Sequence, residues 1–313
     1  MKNWMSKLPD DKKIILTNIP GSHDSTAYNM NYFGSVFAKC QDLDILEQLN
    51  IGVRKFDIRV TNGQSNYNCC GLNQLEADNY LDLICCHGIC NCYYYDENNT
   101  KKEITYKKVL LTFKTFLEEN PSETIIVSTD SGRGNKFNNL RRANEIFENL
   151  MDGVSIEYYK KLTIGDARGK VINTNHITNK TDLDGNLIYN VEVEGGTGLE
   201  EIHRKFVIEF VYASFKVSGR LKVDEVKEFL ETNEMTFEEA EKEFEKNSMK
   251  FPFKYSISCT GEYESIVPLP KTQADIVNPF IINYDLKKGN YYGWINIDFV
   301  DLNITKKIID TNF

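Results

Sequence analysis

Two histidines in this sequence stand where chemistry could be done. Ile19-Pro20-Gly21-Ser22-His23-Asp24-Ser25 sets His23 and a carboxylate on a tight Pro-Gly turn after a strand-like run. Leu83-Ile84-Cys85-Cys86-His87-Gly88 sets His87 beside a glycine after another. An isolated histidine is more often structural than catalytic; two at strand ends beside turn glycines shift the balance towards function. Between them, Arg54-Lys55-Phe56-Asp57-Ile58-Arg59 puts Asp57 and Arg59 on one face of a strand. An inward pair of this kind is costly unless it serves a site, the plain alternative being a structural ion pair. Asp298, in Gly293-Trp294-Ile295-Asn296-Ile297-Asp298-Phe299, is a carboxylate in an apolar strand, and a histidine is a good partner for it. Two histidines, an arginine and these carboxylates suit metal-free phosphoryl transfer. One histidine takes a proton from a nucleophile and the other gives one to the leaving group. The arginine stabilises charge on phosphate oxygens, and the carboxylates fix the histidine tautomers.

Residues so far apart in the chain need a scaffold that gathers strand ends. Ile14 to Ile19, Val53 to Val60, Thr124 to Thr129, Val171 to Thr174, Val207 to Tyr212, Lys254 to Ser258 and Tyr292 to Val300 read as strands. Asp42 to Asn50, Tyr106 to Asn120 and Leu140 to Leu150 read as helices; Val223 to Lys246 is a charged amphipathic stretch broken near Asn233. Without an internal repeat or low-complexity linker, residues 1–313 read as one domain. The alternation of strand and helix predicts an α/β fold, a parallel TIM-type barrel with peripheral helices, whose active site lies where strands end.

Composition narrows the partners. A net charge of −9 argues against a protein built to grip nucleic acid, and no apolar run approaches a membrane span. Work on an anionic membrane would need a local basic or aromatic patch; most of the 17 Tyr and 18 Phe are expected in core or strands. Of the eight cysteines, Cys69, Cys70, Cys85, Cys86, Cys90 and Cys92 cluster, while Cys40 and Cys259 stand apart. The cluster lacks zinc-ribbon spacing, and a disulfide set would need an oxidising compartment, so free thiols are the favoured reading. Met1-Lys2-Asn3-Trp4 leads straight into polar sequence with no visible signal peptide; a secreted chain after leader removal and a cytoplasmic one both stay open. Asn98-Asn99-Thr100, Asn179-Lys180-Thr181 and Asn303-Ile304-Thr305 match the glycosylation pattern, which carries little weight without secretion. His203, in Ile202-His203-Arg204-Lys205, reads as a surface residue, and Glu238 to Lys246 as a solvated helix face.

The ordered set of motifs resembles the bacterial phosphatidylinositol-specific phospholipases C. It comprises Trp4 to Asp10, Ile19 to Ser25, Gly52 to Arg59, His87-Gly88, Asn120 to Ile126, Gly165 to Lys170, Val277-Asn278-Pro279 and Gly293 to Val300, nearly the whole chain. The resemblance implies a distorted, incompletely closed (β/α)8 barrel. It implies that His23 deprotonates the inositol 2-hydroxyl, which attacks phosphorus, expels diacylglycerol and leaves a cyclic inositol phosphate. His87 then protonates the departing oxygen, Arg59 contacts the phosphate, Asp298 pairs with His23, Asp24 with His87, and Asp57 supports Arg59. Calcium-dependent relatives carry acidic ligands where this chain has Arg59, so the resemblance implies no metal and no cofactor. The implied partner is a phosphoinositide or glycosyl-phosphoinositide lipid at a membrane surface, met by a monomer.

The head-group pocket departs from the family. His176 falls near the place of a ring-holding arginine; Asp130, Ser131 and Arg133 occupy the region of an expected lysine; Glu192 or Glu194 are the candidates for a ring-binding carboxylate. Arg133, His176 and Glu194 are therefore the expected substrate-binding residues, and the head group is less specified than the chemistry. Two other functions remain: a catalytically weak lipid or inositol-phosphate binding module, and a metal-dependent glycerophosphodiesterase on a related barrel. Joint retention of the histidines, Arg59, Asp24 and Asp298 argues against the first, and Arg59 against the second.

Overall fold

The fold is taken from a computed structural model, which describes residues 1–30, 32–62, 82–158, 162–174, 256–258, 270–290 and 292–313. The strands are β1 (Ile19–Ser22), β2 (Lys55–Thr61), β3 (Ile84–His87), β4 (Cys90–Asn91), β5 (Tyr93–Tyr95), β6 (Lys101–Glu103), β7 (Ile125–Ser131), β8 (Ser155–Glu157), β9 (Val171–Asn173), β10 (Ser256–Ser258) and β11 (Trp294–Ile297). The helices are α1 (Tyr32–Phe37), α2 (Ile45–Ile51), α3 (Tyr106–Glu119), α4 (Lys136–Leu150), α5 (Ile164–Ala167), α6 (Pro270–Asn283) and α7 (Leu302–Asp310). The strand predicted at Val207 to Tyr212 and the helix at Val223 to Lys246 lie outside the described residues.

The main sheet runs β10-β11-β1-β2-β7-β9-β8, parallel at every step. At its far end β2 turns into an antiparallel arm, pairing Val60 with Cys85 and Thr61 with Ile84, and β4 extends it. Among the described strands, the end strands β8 and β10 do not pair with each other, so the sheet is not closed.

Period-two alternation divides the apolar residues between two clusters. Ile125 and Val127 of β7, Phe56, Ile58 and Val60 of β2, and Ile295 and Ile297 of β11 pack with α3, α4 and α7. Ile126, Ile172, Ile19 and Trp294 face the other way, onto Trp4, Met5, Leu8, Ile14, Leu162 and Ile164. That second cluster is the inner face, plugged by the N-terminal segment. Lys55, Asp57 and Arg59 share the inner parity of β2, so its polar side chains project inside the sheet's curve. Helix starts are fixed locally: Asp44 and Glu47 form a reciprocal capping box on α2, and the Thr105, Asn135 and Asp301 side chains cap α3, α4 and α7.

The start of the first strand departs from expectation. Ile14–Leu16 is a 3-10 turn drawn into the inner cluster, its Ile14 N–H donating to Leu162 O at 2.9 Å, and the strand begins only at Ile19. Pro20 and Gly21 therefore lie inside β1, and the turn follows at His23. Glycine is needed there for space: a Cβ at Gly21 would stand 2.4 Å from Asn296 Oδ1 on the neighbouring strand.

Candidate active site

The parallel register of β1 and β11 pairs Ser22 with Ile297, so His23 and Asp298 emerge side by side one step beyond the two strands. His23 Nδ1 lies 2.9 Å from Asp298 Oδ1, and both side chains are buried. Because an ionised carboxylate only accepts, Nδ1 carries the proton and Nε2 keeps its lone pair. Gln41 ties the strand ends together: its Nε2 donates to His23 O and Ile297 O, each at 2.8 Å, and its Oε1 accepts from Val300 N at 3.1 Å. Asn278 holds the next turn, donating to Asp298 O at 2.9 Å and Phe299 O at 3.3 Å.

Asp57 and Arg59 reach the same point from β2. Arg59 Nη2 donates to His23 Nε2 at 2.6 Å; Asp57 Oδ2 stands 3.7 Å from that nitrogen and 3.9 Å from Arg59 Nη2. Arg59 Nε lies 3.5 Å from Asp24 Oδ2. Ser25 locks the β1 turn to β2, its N–H donating to Asp57 O at 2.8 Å while its Oγ accepts from Asp57 N at 2.9 Å. Asp24 is fully buried at φ 38°, in the left-handed region that a non-glycine residue rarely occupies, and neither of its carboxylate oxygens accepts a hydrogen bond.

His87 enters from the antiparallel arm, as the last residue of β3. Its Nδ1 donates to Ala38 O at 2.7 Å and stands 3.6 Å from Asp24 Oδ2, which leaves Nε2 for a reacting group. The two imidazole rings are 6.3 Å apart, edge to face at 89°. Cys40 Sγ lies 3.5 Å from His87 Nδ1 and 3.5 Å from Ala38 O. Arg133 does not reach the histidines: it clasps the β3–β4 hairpin, donating to Gly88 O at 3.3 Å and to Asn91 Oδ1. His176 and Glu194 lie outside the described residues, as do Glu192 and His203.

The charges are set by burial and by neighbours. Burial alone would lower the His23 pKa, but the charge and hydrogen bond of Asp298, with Asp57, outweigh it against Arg59, so His23 titrates above an ordinary histidine. Burial pushes the Asp24 carboxyl up, although His87 and Arg59 oppose the shift. At Asp57 burial is overcome by Arg59, His23 and Lys55, which hold that carboxyl below its usual range. Burial works against the Arg59 guanidinium as well, but Asp24 and Asp57 more than compensate and raise its pKa. The Cys40 thiol is pushed well up by burial, then by Asp298 and Asp24. The site sets one buried imidazole, held by a carboxylate at Nδ1 and facing a guanidinium at Nε2, edge to face with a second imidazole 6.3 Å away.

Cys40, Gln41 and Ser25 take part in this geometry without having been singled out as site residues. Cys40 and Gln41 lie between α1 and α2, and no periodicity marks them. Among the described residues Cys40, Cys85, Cys86, Cys90 and Cys92 are buried and outside any disulfide; Cys69, Cys70 and Cys259 lie outside these residues.

Residues 17–172 match the family described as phosphatidylinositol-specific phospholipase C, X domain. A 1-phosphatidylinositol phosphodiesterase of Staphylococcus aureus (strain Newman) is 38% identical over 128 residues, 41% of this chain. That match covers 33% of the relative, so the aligned stretch spans about a third of its length. A protein of the same description from Listeria monocytogenes is 24% identical over 318 residues, covering 99% of this chain and 85% of the relative. Among solved structures, a phosphatidylinositol-specific phospholipase C from Staphylococcus aureus superposes with a TM-score of 0.59 at 20% identity, over 100% of this chain and 96% of that one. The enzyme of that description from Listeria monocytogenes gives 0.54 at 20% identity, over 100% and 98%. At this identity the likeness is one of fold: the open parallel sheet with its outer helices is a distorted TIM-type barrel.

Proposed function

We propose, for a chain that belongs to the phosphatidylinositol-specific phospholipase C family through the X domain at residues 17–172, that it cleaves phosphatidylinositol or glycosyl-phosphatidylinositol to diacylglycerol and a cyclic inositol phosphate. The observation that carries the reading is the placement of the His23 ring, with Nδ1 2.9 Å from Asp298 and Nε2 2.6 Å from the Arg59 guanidinium. His23 Nε2 takes the proton of the inositol 2-hydroxyl, whose oxygen then forms the new bond to phosphorus. His87 Nε2 gives a proton to the glycerol oxygen as its bond to phosphorus breaks. Arg59 turns from the imidazole to the phosphate oxygens and supplies the positive charge that a calcium ion supplies in other members, so the reaction runs without a metal. Asp57 steadies Arg59, and His87 is oriented by the Ala38 carbonyl at 2.7 Å with the Asp24 charge beside it at 3.6 Å. Arg133 acts on the substrate side through the hairpin it clasps, with His176 and Glu194 as ring contacts.

Residues 1–313 act as one catalytic unit, a monomer working at a membrane surface. Ile89, at the hairpin tip beside His87, and Phe137, on the first turn of α4, are 51% and 76% exposed and give that rim apolar reach towards a bilayer. Among the described residues no helix is long and apolar enough to cross a membrane.

The division of labour between the histidines is tested with two substrates, the lipid and a water-soluble inositol phosphate ester with a nitrophenol leaving group. His23→Ala should cut turnover at least ~10²-fold on both, because the nucleophile needs its base in each case. His87→Ala should cut lipid cleavage by a similar factor but largely spare the nitrophenyl ester, whose leaving oxygen needs no proton. Equal loss on both substrates for both variants would contradict the assignment.

A further inference from the structure

One buried carboxylate in this site lacks the hydrogen bonds that burial demands. Asp24 is fully buried, yet neither oxygen accepts a hydrogen bond, and the nearest cationic atoms stand at 3.5 and 3.6 Å. Such a group is aimed at something. Beside it lie two further donors that bind metals, Cys40 Sγ and His87 Nδ1, and all three ligand atoms fall within 4.8 Å of one another.

We propose that Asp24, Cys40 and His87 form a site for a thiophilic divalent cation of the zinc type, whose binding shuts down the acid–base pair. A tetrahedral zinc ion, with Zn–S of about 2.3 Å and Zn–N or Zn–O of about 2.0–2.1 Å, sets neighbouring donors roughly 3.3–3.6 Å apart. Cys40 Sγ to His87 Nδ1 is 3.5 Å and His87 Nδ1 to Asp24 Oδ2 is 3.6 Å. One sulfur, one nitrogen and one oxygen suit zinc over calcium or magnesium, which prefer oxygen alone. The same thiol also neighbours His23 and Asp298, but those two are already committed to each other at 2.9 Å. Asp24, His87 and Cys40 are the set with an unsatisfied member.

Binding replaces defined contacts. The Cys40 thiol proton goes to solvent and its contact to Ala38 O is lost. The imidazolium of His87 gives up its Nδ1 proton to solvent, losing the contact to Ala38 O, and the metal-bound ring keeps its other proton on Nε2, which it no longer releases as an imidazolium would. The inhibitory half rests on the reading of His87 as general acid; the binding half does not. The Arg59 guanidinium, 3.5 Å from Asp24, opposes the ion and must turn away for it to enter.

The test is titration of the chelator-stripped full chain with Co²⁺ followed by absorbance, and with Zn²⁺ followed by lipid cleavage, in the wild type, Cys40→Ser and Cys40→Ala. A thermal melt confirms that each variant is folded. The wild type should take up one equivalent of cobalt with the strong visible bands of a tetrahedral site and a thiolate-to-cobalt band; both variants should lose the thiolate band. Zinc should inhibit the wild type, and each variant, measured against its own rate in chelator, should need at least about tenfold more. The proposal is overturned if the wild type shows no thiolate band, if the variants keep it because other cysteines hold the ion, or if bound zinc leaves the rate unchanged. A cobalt band in a protein inactive in chelator would support the ion site and overturn the proposed catalysis instead, so the two failures separate.

Discussion

His23 sits between neighbours of opposite sign, and its titration should respond to each in opposite directions. Burial lowers its pKa, Asp298 and Asp57 raise it, Arg59 lowers it, and the sum lies above the ordinary value. A general base is lost as pH falls through its pKa, so a raised pKa places the acid limb of kcat/KM at higher pH. Asp298→Asn removes the raising charge and should move that limb to lower pH while lowering the maximum. Arg59→Ala removes the opposing charge and should move it to higher pH. Profiles on a soluble substrate read both shifts, and a common direction for the two variants would contradict the arrangement described for His23.

The elements that present these side chains are fixed by interactions away from the chemistry. Arg54, at the entry to β2, is fully buried: its Nε and Nη2 reach Glu123 Oε2 at 2.9 and 2.8 Å, and Nη1 donates to Leu49 O and Val53 O, each at 2.8 Å. Arg54→Met should cost about 3–5 kcal/mol in urea unfolding, because it leaves the Glu123 carboxylate buried without its partner. The double variant Arg54→Met/Glu123→Leu should recover most of that loss, and additive losses would refute the explanation. The strand that Arg54 anchors was legible in the sequence because period two alone sorts Phe56, Ile58 and Val60 from Asp57 and Arg59. Asp298 was legible as a carboxylate in an apolar run. The true start of β1 was not, because Ile14 and Leu16 carry the same apolar signal whether they form a strand or a 3-10 turn. Gln41 and Cys40 were not legible either: they sit in an aperiodic connection, and the Ile297 carbonyl that Gln41 holds is 256 residues away in sequence. Long-range polar ties of this kind leave no local pattern.

At the scale of the molecule, the proposed function requires a chain of net charge −9 to meet a lipid surface through local features rather than through its overall field. The parallel sheet gathers His23, Asp57, Arg59 and Asp298 on its inner side and at its strand ends, and the antiparallel arm off β2 brings His87 across to them. That convergence is what the proposed chemistry rests on, internal transfer of the phosphoryl group with the charge supplied by Arg59. The most direct test is cleavage of phosphatidylinositol vesicles in excess chelator, with the water-soluble product followed by phosphorus NMR. The account predicts undiminished turnover with the cyclic inositol phosphate as the first product. Activity that vanishes in chelator and returns with calcium, or a first product that is the open monophosphate, would contradict it.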